Sequence, residues 1–277
     1  MKRLLVSILV VCALAGCRRD APTQDASAAA GAANAPEVPA EAAPQPVVLE
    51  DVVETDPRYI IGITWPDGAD RYPALAAELK AYADSARAEV MQAVEALEPG
   101  ASAMYDLALE FKVLADTPEV FAVAADGGTY TGGAHGTPLI ARFVWLPREE
   151  RLLTPDALVP DPDSWREISA YVREQLHAAL SQRVDADELD PGERARVMRS
   201  AGRMIDEGTA PEPDNFAHFE PVTGSGGRFA GLRFVFPPYQ VGPYSDGVQS
   251  VEVPAAVLLP HLAPAYRPLF SDATAAQ

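Results

Sequence analysis

Between residues 104 and 113 every second side chain is apolar. The apolar positions are Tyr105, Leu107, Leu109, Phe111 and Val113. A period of two predicts a β-strand in a sheet that is covered on one face only. Such a strand needs partners, and after a turn at Thr117-Pro118 the sequence predicts two more strands, at residues 120–125 and 139–146. These three strands are expected to form an antiparallel meander.

Two other segments carry the apolar spacing of amphipathic helices. Residues 72–97 have an apolar side chain at every third or fourth position, and residues 165–180 repeat this pattern after Ser164-Trp165-Arg166-Glu167, which matches a capping box. A third helix is predicted at residues 191–207, which are arginine-rich and polar on most sides. Further short strands are predicted at residues 59–65, 216–221, 232–236 and 249–253. Helices and strands in runs, without regular alternation, predict an α+β fold with an antiparallel sheet packed against a few helices.

The first 17 residues have the pattern of an export signal. Lys2 and Arg3 precede an apolar run that is as long as a signal-peptide core and too short to cross a bilayer. The run ends in Leu14-Ala15-Gly16-Cys17, which resembles the lipobox of bacterial lipoproteins. Residues 1–17 are therefore the predicted lipoprotein signal peptide and Cys17 is the predicted lipidation site. The alternative is an ordinary signal peptide with a chance cysteine.

The predicted anchor also decides how the folded part is held together. Cys12 and Cys17 are the two cysteines of the chain, so the mature protein is expected to lack disulfides and cysteine-ligated metal and to depend on its core. Residues 18–46 contain eleven Ala, five Pro and no aromatic residue, a composition that predicts a disordered tether. Residues 47–277 then form one α+β envelope domain or two subdomains, at about 47–150 and 151–277.

Charge and missing motifs limit the function classes. The formal charge is −18, and removal of the two basic residues Lys2 and Arg3 leaves −20. This excess argues against nucleic acid as a partner and favours solubility or a basic partner. The sequence has no HExxH, GxSxG, SxxK or P-loop motif, so no cofactor, metal or catalytic residue is predicted. Arg18, rather than Asp, after the cysteine is the pattern expected for an outer-membrane lipoprotein facing the periplasm, if the host is Gram-negative.

Two segments rich in glycine, proline and tyrosine are the candidate binding loops. The first contains YTGGAHG, residues 130–136, and its glycines allow positive φ and an anion-binding backbone nest beside His135. The second is FPPYQVGPYSDG, residues 236–247, whose tyrosines offer large amphipathic surfaces. The alternatives are a bulged turn in which His135 caps a backbone carbonyl, and tyrosines that only pack over a sheet edge. The candidate ligand-binding residues are Tyr130, Thr131, Gly132, Gly133, His135, Tyr239, Tyr244 and Asp246.

The order of these elements resembles a family of bacterial envelope domains. The elements are YTGGAHG, a strand, LLTPDAL, a helix and PYQVGPYSDGVQSVEVP, and they are similar to the extracellular part of RsiV-type anti-sigma factors, which bind lysozyme. They also resemble the non-catalytic N-terminal region of PdaC-type peptidoglycan deacetylases. The chain lacks the membrane helix of the former and the catalytic domain of the latter. The resemblance therefore implies an α+β binding domain and no catalytic residue.

We expect an envelope-anchored lipoprotein that binds a lysozyme-like protein or a cell-wall glycan, including peptidoglycan fragments. One alternative is a peptidoglycan-directed hydrolase with His135 as general base and Asp126 or Asp246 as its carboxylate. Another is a structural lipoprotein that joins an envelope complex through its strand edges or through the polar helix near residues 194–203.

Overall fold

The computed structural model describes residues 47–98, 100 and 103–271. The predicted signal peptide, the lipidation site Cys17 and the predicted tether lie outside these residues. In the described part, no helix has both the length and the apolar character needed to cross a membrane.

Six strands form the first sheet, in the spatial order β1-β2-β3-β4-β5-β6. Their bounds are β1 Val52–Asp56, β2 Tyr59–Thr64, β3 Tyr105–Asp116, β4 Phe121–Tyr130, β5 Thr137–Leu146 and β6 Arg151–Leu152. The predicted meander is confirmed, because β3, β4 and β5 pair antiparallel. The β2–β3 pair is parallel, since the chain crosses between these strands through helix α1, Pro73–Glu95.

Helix α1 covers one face of this sheet. Its apolar stripe is buried, from Leu75 near the N-terminus to Val94 in the last turn. The stripe packs on the alternating residues of β3 that the sequence pattern assigned to the covered face, such as Leu107 and Phe111. Pro73 begins the helix at the first helical position, where its missing N–H costs no hydrogen bond. The predicted helix is confirmed. Coverage on one face is confirmed for β3, whose Ala108, Glu110 and Lys112 are exposed, whereas the face of β4 and β5 that α1 leaves uncovered packs on the second half of the chain.

The second half of the chain supplies the other helices and a three-stranded antiparallel sheet, ordered β7-β8-β9. The strands are β7 Phe219–Thr223, β8 Phe229–Phe236 and β9 Gln249–Pro254. The helices are α2 Pro155–Leu158, α3 Trp165–Ala186, α4 Pro191–Gly208 and α5 Ala255–Leu258. The α+β prediction is thus confirmed. The strand predicted at residues 216–221 begins later, because residues 213–216 form a 3₁₀ turn that buries Phe216 against Trp165.

The capping box predicted at Ser164 is wrong. Ser164 has helical backbone angles and its side chain makes no cap hydrogen bond to α3. It closes a 3₁₀ turn, residues 162–164, which runs directly into α3. Asp161 caps that turn instead, because its carboxylate accepts a hydrogen bond from the N–H of Asp163 at 3.1 Å. The helix begins at Trp165, as the motif predicted, but a capped 3₁₀ turn rather than the Ser164 side chain precedes it.

The two sheets share a hydrophobic core. The uncovered face of the first sheet contributes Ala122 and Val144 to the same cluster as Trp165 of α3 and Phe234 of β8. A buried ion pair joins the sheets beside this core: Arg142 Nε of β5 lies 2.6 Å from Glu220 Oε2 of β7, and each side chain is 8% exposed. This pair sets the position of β5 relative to β7.

His218, which directly precedes β7, makes folding sensitive to pH. Burial, and secondarily the nearby Arg142 guanidinium, lower the pKa of His218 below its ordinary value of 6.5. Below pH 6.5 the unfolded chain therefore binds more protons at this site than the folded chain, so the free energy of unfolding falls as pH drops from 6.5 through the folded pKa. We expect His218→Gln to flatten this dependence in urea unfolding between pH 7.5 and 5 (roughly the interval in which histidines titrate). If the free energy of unfolding changes with pH equally in variant and parent, His218 is not the source of the pH dependence.

Candidate ligand-binding site at two loops

The first loop is the tip of the β4–β5 hairpin, and it is shorter than the predicted strand bounds imply, because β4 continues to Tyr130 and β5 begins at Thr137. Gly127 and Gly128 lie inside β4, where both are paired with β3 and β5. At Gly127 a Cβ atom would lie 2.0 Å from the carbonyl oxygen of Ala108, so this glycine allows two strands to approach closely. Gly132 and Gly133 have positive φ, 98° and 93°, and turn the chain, whereas Gly127 and Gly128 do not have positive φ.

The second loop connects β8 to β9 and begins with a strained tyrosine. Gln240 N–H donates to Pro237 O at 3.1 Å across a turn whose second residue is Pro238. Its third residue, Tyr239, has φ of 75°, which glycine or asparagine normally provides in a type II turn. A bulky residue held in this region costs about 1–3 kcal/mol. The surrounding structure therefore holds Tyr239 in a conformation that its own side chain disfavours.

Two contacts hold this loop on the helices of the second half. Gln240 Nε2 donates to the carbonyl of Gly208, at the end of α4, at 3.1 Å and to the carbonyl of Asn215 at 2.8 Å. Arg183 of α3 forms an ion pair with Asp246 at 2.7 Å, and the Asp246 side chain is 14% exposed. Asp246, a predicted ligand-binding residue, thus has a positioning contact in this structure. The helices fix the backbone of the loop while its tyrosines face away.

The tips of the two loops meet in an aromatic cluster formed by His135, Tyr239 and Tyr244. The imidazole of His135 stacks on the ring of Tyr244, with centroids 3.9 Å apart and planes 17° apart. The phenol oxygen of Tyr239 lies 2.9 Å from Nε2 of His135, and the Tyr239 and Tyr244 rings are 5.8 Å apart. Tyr239 is 56% exposed. We call this surface the His-Tyr cluster.

Hydrogen bonding assigns the tautomer of His135. Its Nδ1 lies 3.0 Å from the carbonyl oxygen of Gly136, and a carbonyl only accepts, so Nδ1 carries the proton in the neutral ring. Nε2 then accepts the hydrogen bond from the Tyr239 hydroxyl. The alternative stated from the sequence, that His135 caps a backbone carbonyl, therefore accounts for one of its two contacts, the one with Gly136. The other contact joins two loops 104 positions apart.

The other predicted residues of the first loop shape the hairpin tip. The hydroxyl of Tyr130 donates to Gly133 O at 3.2 Å across the turn, and Thr131 and Gly132 are exposed beside it. These residues lie next to the His-Tyr cluster along the chain, and no hydrogen bond or ring stacking of the described residues joins them to its rings. The structure thus brings together three of the eight predicted residues; Tyr130, Gly132, Gly133 and Asp246 shape or hold the loops, and Thr131 is exposed.

The geometry of the His-Tyr cluster suits binding better than proton transfer. Both ring nitrogens of His135 are engaged, whereas a general base needs one that is open to substrate. Among the described residues, the histidines paired with carboxylates are His177 and His261, not His135. The same part of the chain contains no group of three or more His, Cys, Asp or Glu side chains that could hold a metal ion.

Sequence reasoning missed the Arg142–Glu220 pair. The signal for Arg142 was present, because it is the single charge in the apolar strand LIARFVWL. A lone charge in a strand that is otherwise buried needs a partner, but 78 positions separate Arg142 from Glu220 and no local pattern connects them.

Comparison with known proteins identifies part of the chain. Residues 156–256 match DUF3298, a family described as a protein of unknown function. A DUF3298 family protein from Pseudomonas aeruginosa has a similar fold, with a TM-score of 0.52 and 19% identity over 82% of this chain and 98% of that one. A DUF3298 family member from Bacteroides fragilis gives a TM-score of 0.50 and 16% identity over 78% and 93%. No protein with a curated description matches the chain. The match to DUF3298, residues 156–256, therefore includes Tyr239, Tyr244 and the helices that hold their loop.

Proposed function

We propose that this chain is an envelope-anchored binding protein whose ligand is a lysozyme-like protein or a cell-wall glycan, bound at the His-Tyr cluster. The observation that carries the proposal is Tyr239, exposed at a loop tip and held at a φ of 75°. Strain of this kind persists where the surrounding structure imposes it, and it concentrates at ligand contacts. Exposed tyrosines are also the side chains that most often dominate binding surfaces.

Charge favours the protein ligand over the glycan. The chain has a formal charge of −18, which attracts a basic protein such as lysozyme and speeds its encounter. A neutral glycan gains nothing from this charge. The resemblance of the two loops to RsiV-type extracellular domains supports the same ligand. The lipobox at Cys17 and the tether of residues 18–46 support attachment to the envelope, with a reach of about 90 Å if the tether is fully extended.

The proposal is tested by calorimetric titration of residues 47–277 with a c-type lysozyme at low and moderate salt. We expect one-to-one binding that weakens with salt. The sharpest variant is Tyr239→Gly, which removes the ring and also relieves the backbone strain. We expect it to bind at least about tenfold more weakly (1.4 kcal/mol), with an unchanged or higher melting temperature. Tyr244→Ala and His135→Ala should also weaken binding.

Glu150→Gly is the matched control. Glu150 also has positive φ, 51°, but it lies in the turn between β5 and β6. The Glu150→Gly variant should relieve backbone strain in the same way and bind lysozyme with the affinity of the parent. Equal affinity of parent and all three cluster variants would place the ligand elsewhere on the surface. A flat lysozyme trace with saturable binding of soluble peptidoglycan fragments would assign the cluster to a glycan.

One observation favours the structural-lipoprotein alternative. Arg196, Arg199 and Arg203 are exposed along one side of α4, with the i, i+3, i+7 spacing of a single helix face. Among residues 47–98, 100 and 103–271 the ion pairs of α4 involve Arg194 and Asp206, not these three arginines. A stoichiometric envelope protein that co-purifies with the parent and is lost from a variant with all three changed to Glu would favour this function.

A further inference from the structure

A second candidate site lies on the face of the β7-β8-β9 sheet that is turned away from α3. Here β5 adjoins the sheet, and a groove of about 560 Å³ opens to solvent. We call it the sheet groove. Its polar lining consists of Arg142, Glu220, Arg233, Ser250 and Glu252, and Val248 lies at its end nearest the second loop. None of these residues contributes to the His-Tyr cluster, so the inference does not depend on the proposed function.

A chain of alternating charges forms the floor of the sheet groove. Glu220 is bound from both sides: Arg142 Nε lies 2.6 Å from one oxygen and Arg233 Nη1 lies 2.8 Å from the other. The chain continues outward, since Arg142 Nη1 lies 2.9 Å from Asp126 and Arg233 Nη2 contacts Glu252. Arg142 lines the groove although its side chain is only 8% exposed.

Two guanidinium nitrogens of the sheet groove have no hydrogen-bond acceptor among the described residues. A guanidinium carries five N–H groups, and the contacts of Arg142 within the described residues use Nε and Nη1 but not Nη2. Arg233 likewise uses Nη1 and Nη2 but not Nε. Among the described side chains, the nitrogen that is fully buried without a hydrogen-bond partner is Trp145 Nε1. Arg142 Nη2 also has no described partner but is not fully buried, so solvent can reach it.

We propose that the sheet groove binds the carboxylate of a short ligand, with Arg142 Nη2 and Arg233 Nε as donors. Guanidinium N–H groups match carboxylate geometry and form short charge-assisted bonds. The chain of charges holds two guanidiniums against three carboxylates, those of Asp126, Glu220 and Glu252, so it repels a monoanion less than a doubly charged phosphate. From Val248 to Glu252 the groove follows β9 for roughly 13 Å at about 3.3 Å per residue. This length admits a ligand of a few amino acids or two to three sugars.

Matched pairs of probes test the proposal and separate the two sources of a carboxylate. Calorimetry would compare tetra-alanine with its C-terminal amide, and N-acetylmuramic acid with N-acetylglucosamine, on the purified protein. Binding of an acid without its neutral partner supports the groove, and the pair that shows the difference identifies peptide or sugar as the source. Equal binding of acid and neutral partner in both pairs, or none at millimolar concentration, overturns the proposal.

Variants then place the carboxylate in the sheet groove. Arg233→Gln removes a donor from a side chain that is 40% exposed, and Val248→Trp fills the groove without touching an ion pair. Both variants should weaken binding of the acid probe at least tenfold. Arg228→Gln is the control, because Arg228 is exposed and lies outside this groove. If Val248→Trp folds with an unchanged melting temperature and binds the acid as the parent does, the carboxylate lies elsewhere.

Discussion

Substitution of Arg142 by Met is expected to lower the free energy of unfolding by about 3 kcal/mol. The change leaves Glu220 buried, 8% exposed, with one of its two arginine partners removed. An ionised carboxylate in such a position loses solvation that the remaining partner, Arg233, replaces only in part. The expected value lies at the low end for broken buried ion pairs because Arg233 remains. Urea unfolding at neutral pH measures it.

The double variant Arg142→Met/Glu220→Met measures the interaction between the two side chains apart from the effect of losing each one. With both side chains replaced, Arg233 keeps its partner Glu252 and Asp126 is 45% exposed to water, so no buried charge is left without a partner. We therefore expect stability within about 1 kcal/mol of the parent. The cycle of the two single variants and the double variant then gives a coupling energy of about 2 kcal/mol or more. Additive losses would mean that the two side chains act independently and that the pair does not hold the sheets together.

Gly127→Ala is the second substitution with a large expected effect, a loss of about 3 kcal/mol, the upper end for overpacking. The new Cβ would lie 2.0 Å from the carbonyl oxygen of Ala108 and 2.9 Å from the Cα of Leu109. Both contacts are backbone atoms in the central strand β3, which cannot move aside as a flexible side chain can. The strands must separate locally, and β4 leads directly into the loop that contains His135.

Gly62→Ala is the matched control for this substitution. Gly62 is also a strand glycine without positive φ, but no atom lies within 4 Å of its added Cβ. We expect its stability to rise by about 0.5 kcal/mol, because alanine reduces the freedom of the unfolded chain. If the two alanine variants have the same stability, close strand approach is not the reason for glycine at position 127.

Local patterns predicted those elements whose neighbours along the chain determine them. The alternation in β3 and the apolar stripe of α1 each report a face that is buried, and burial of that face is what folds the element. The parallel β2–β3 pair could not be read in this way, because α1 separates its partners and the same strand pattern fits either direction. The false capping box at Ser164 has the same origin. The motif is local, whereas the 3₁₀ turn capped by Asp161 runs directly into α3 and gives Ser164 helical backbone angles.

The binding loops were found from composition, but their meeting was not predicted. Glycine, proline and tyrosine indicated two irregular segments with exposed aromatic rings. The stacking of His135 on Tyr244 depends on how the two sheets pack, and neither loop encodes that packing. The strain at Tyr239 was also hidden, since the preceding prolines indicate a turn but not its type.

The position of His135 has a consequence for how a fragment of this chain is chosen. His135 and its hairpin precede residue 156, where the family match begins, whereas Tyr239 and Tyr244 lie inside the match. A fragment cut at the boundaries of the match would retain one wall of the cluster and lose the other. It would also expose the core side chains that pack against Ala122 and Val144. The smallest piece of this chain that can be expected to recognise a ligand is therefore larger than the segment by which the family is recognised.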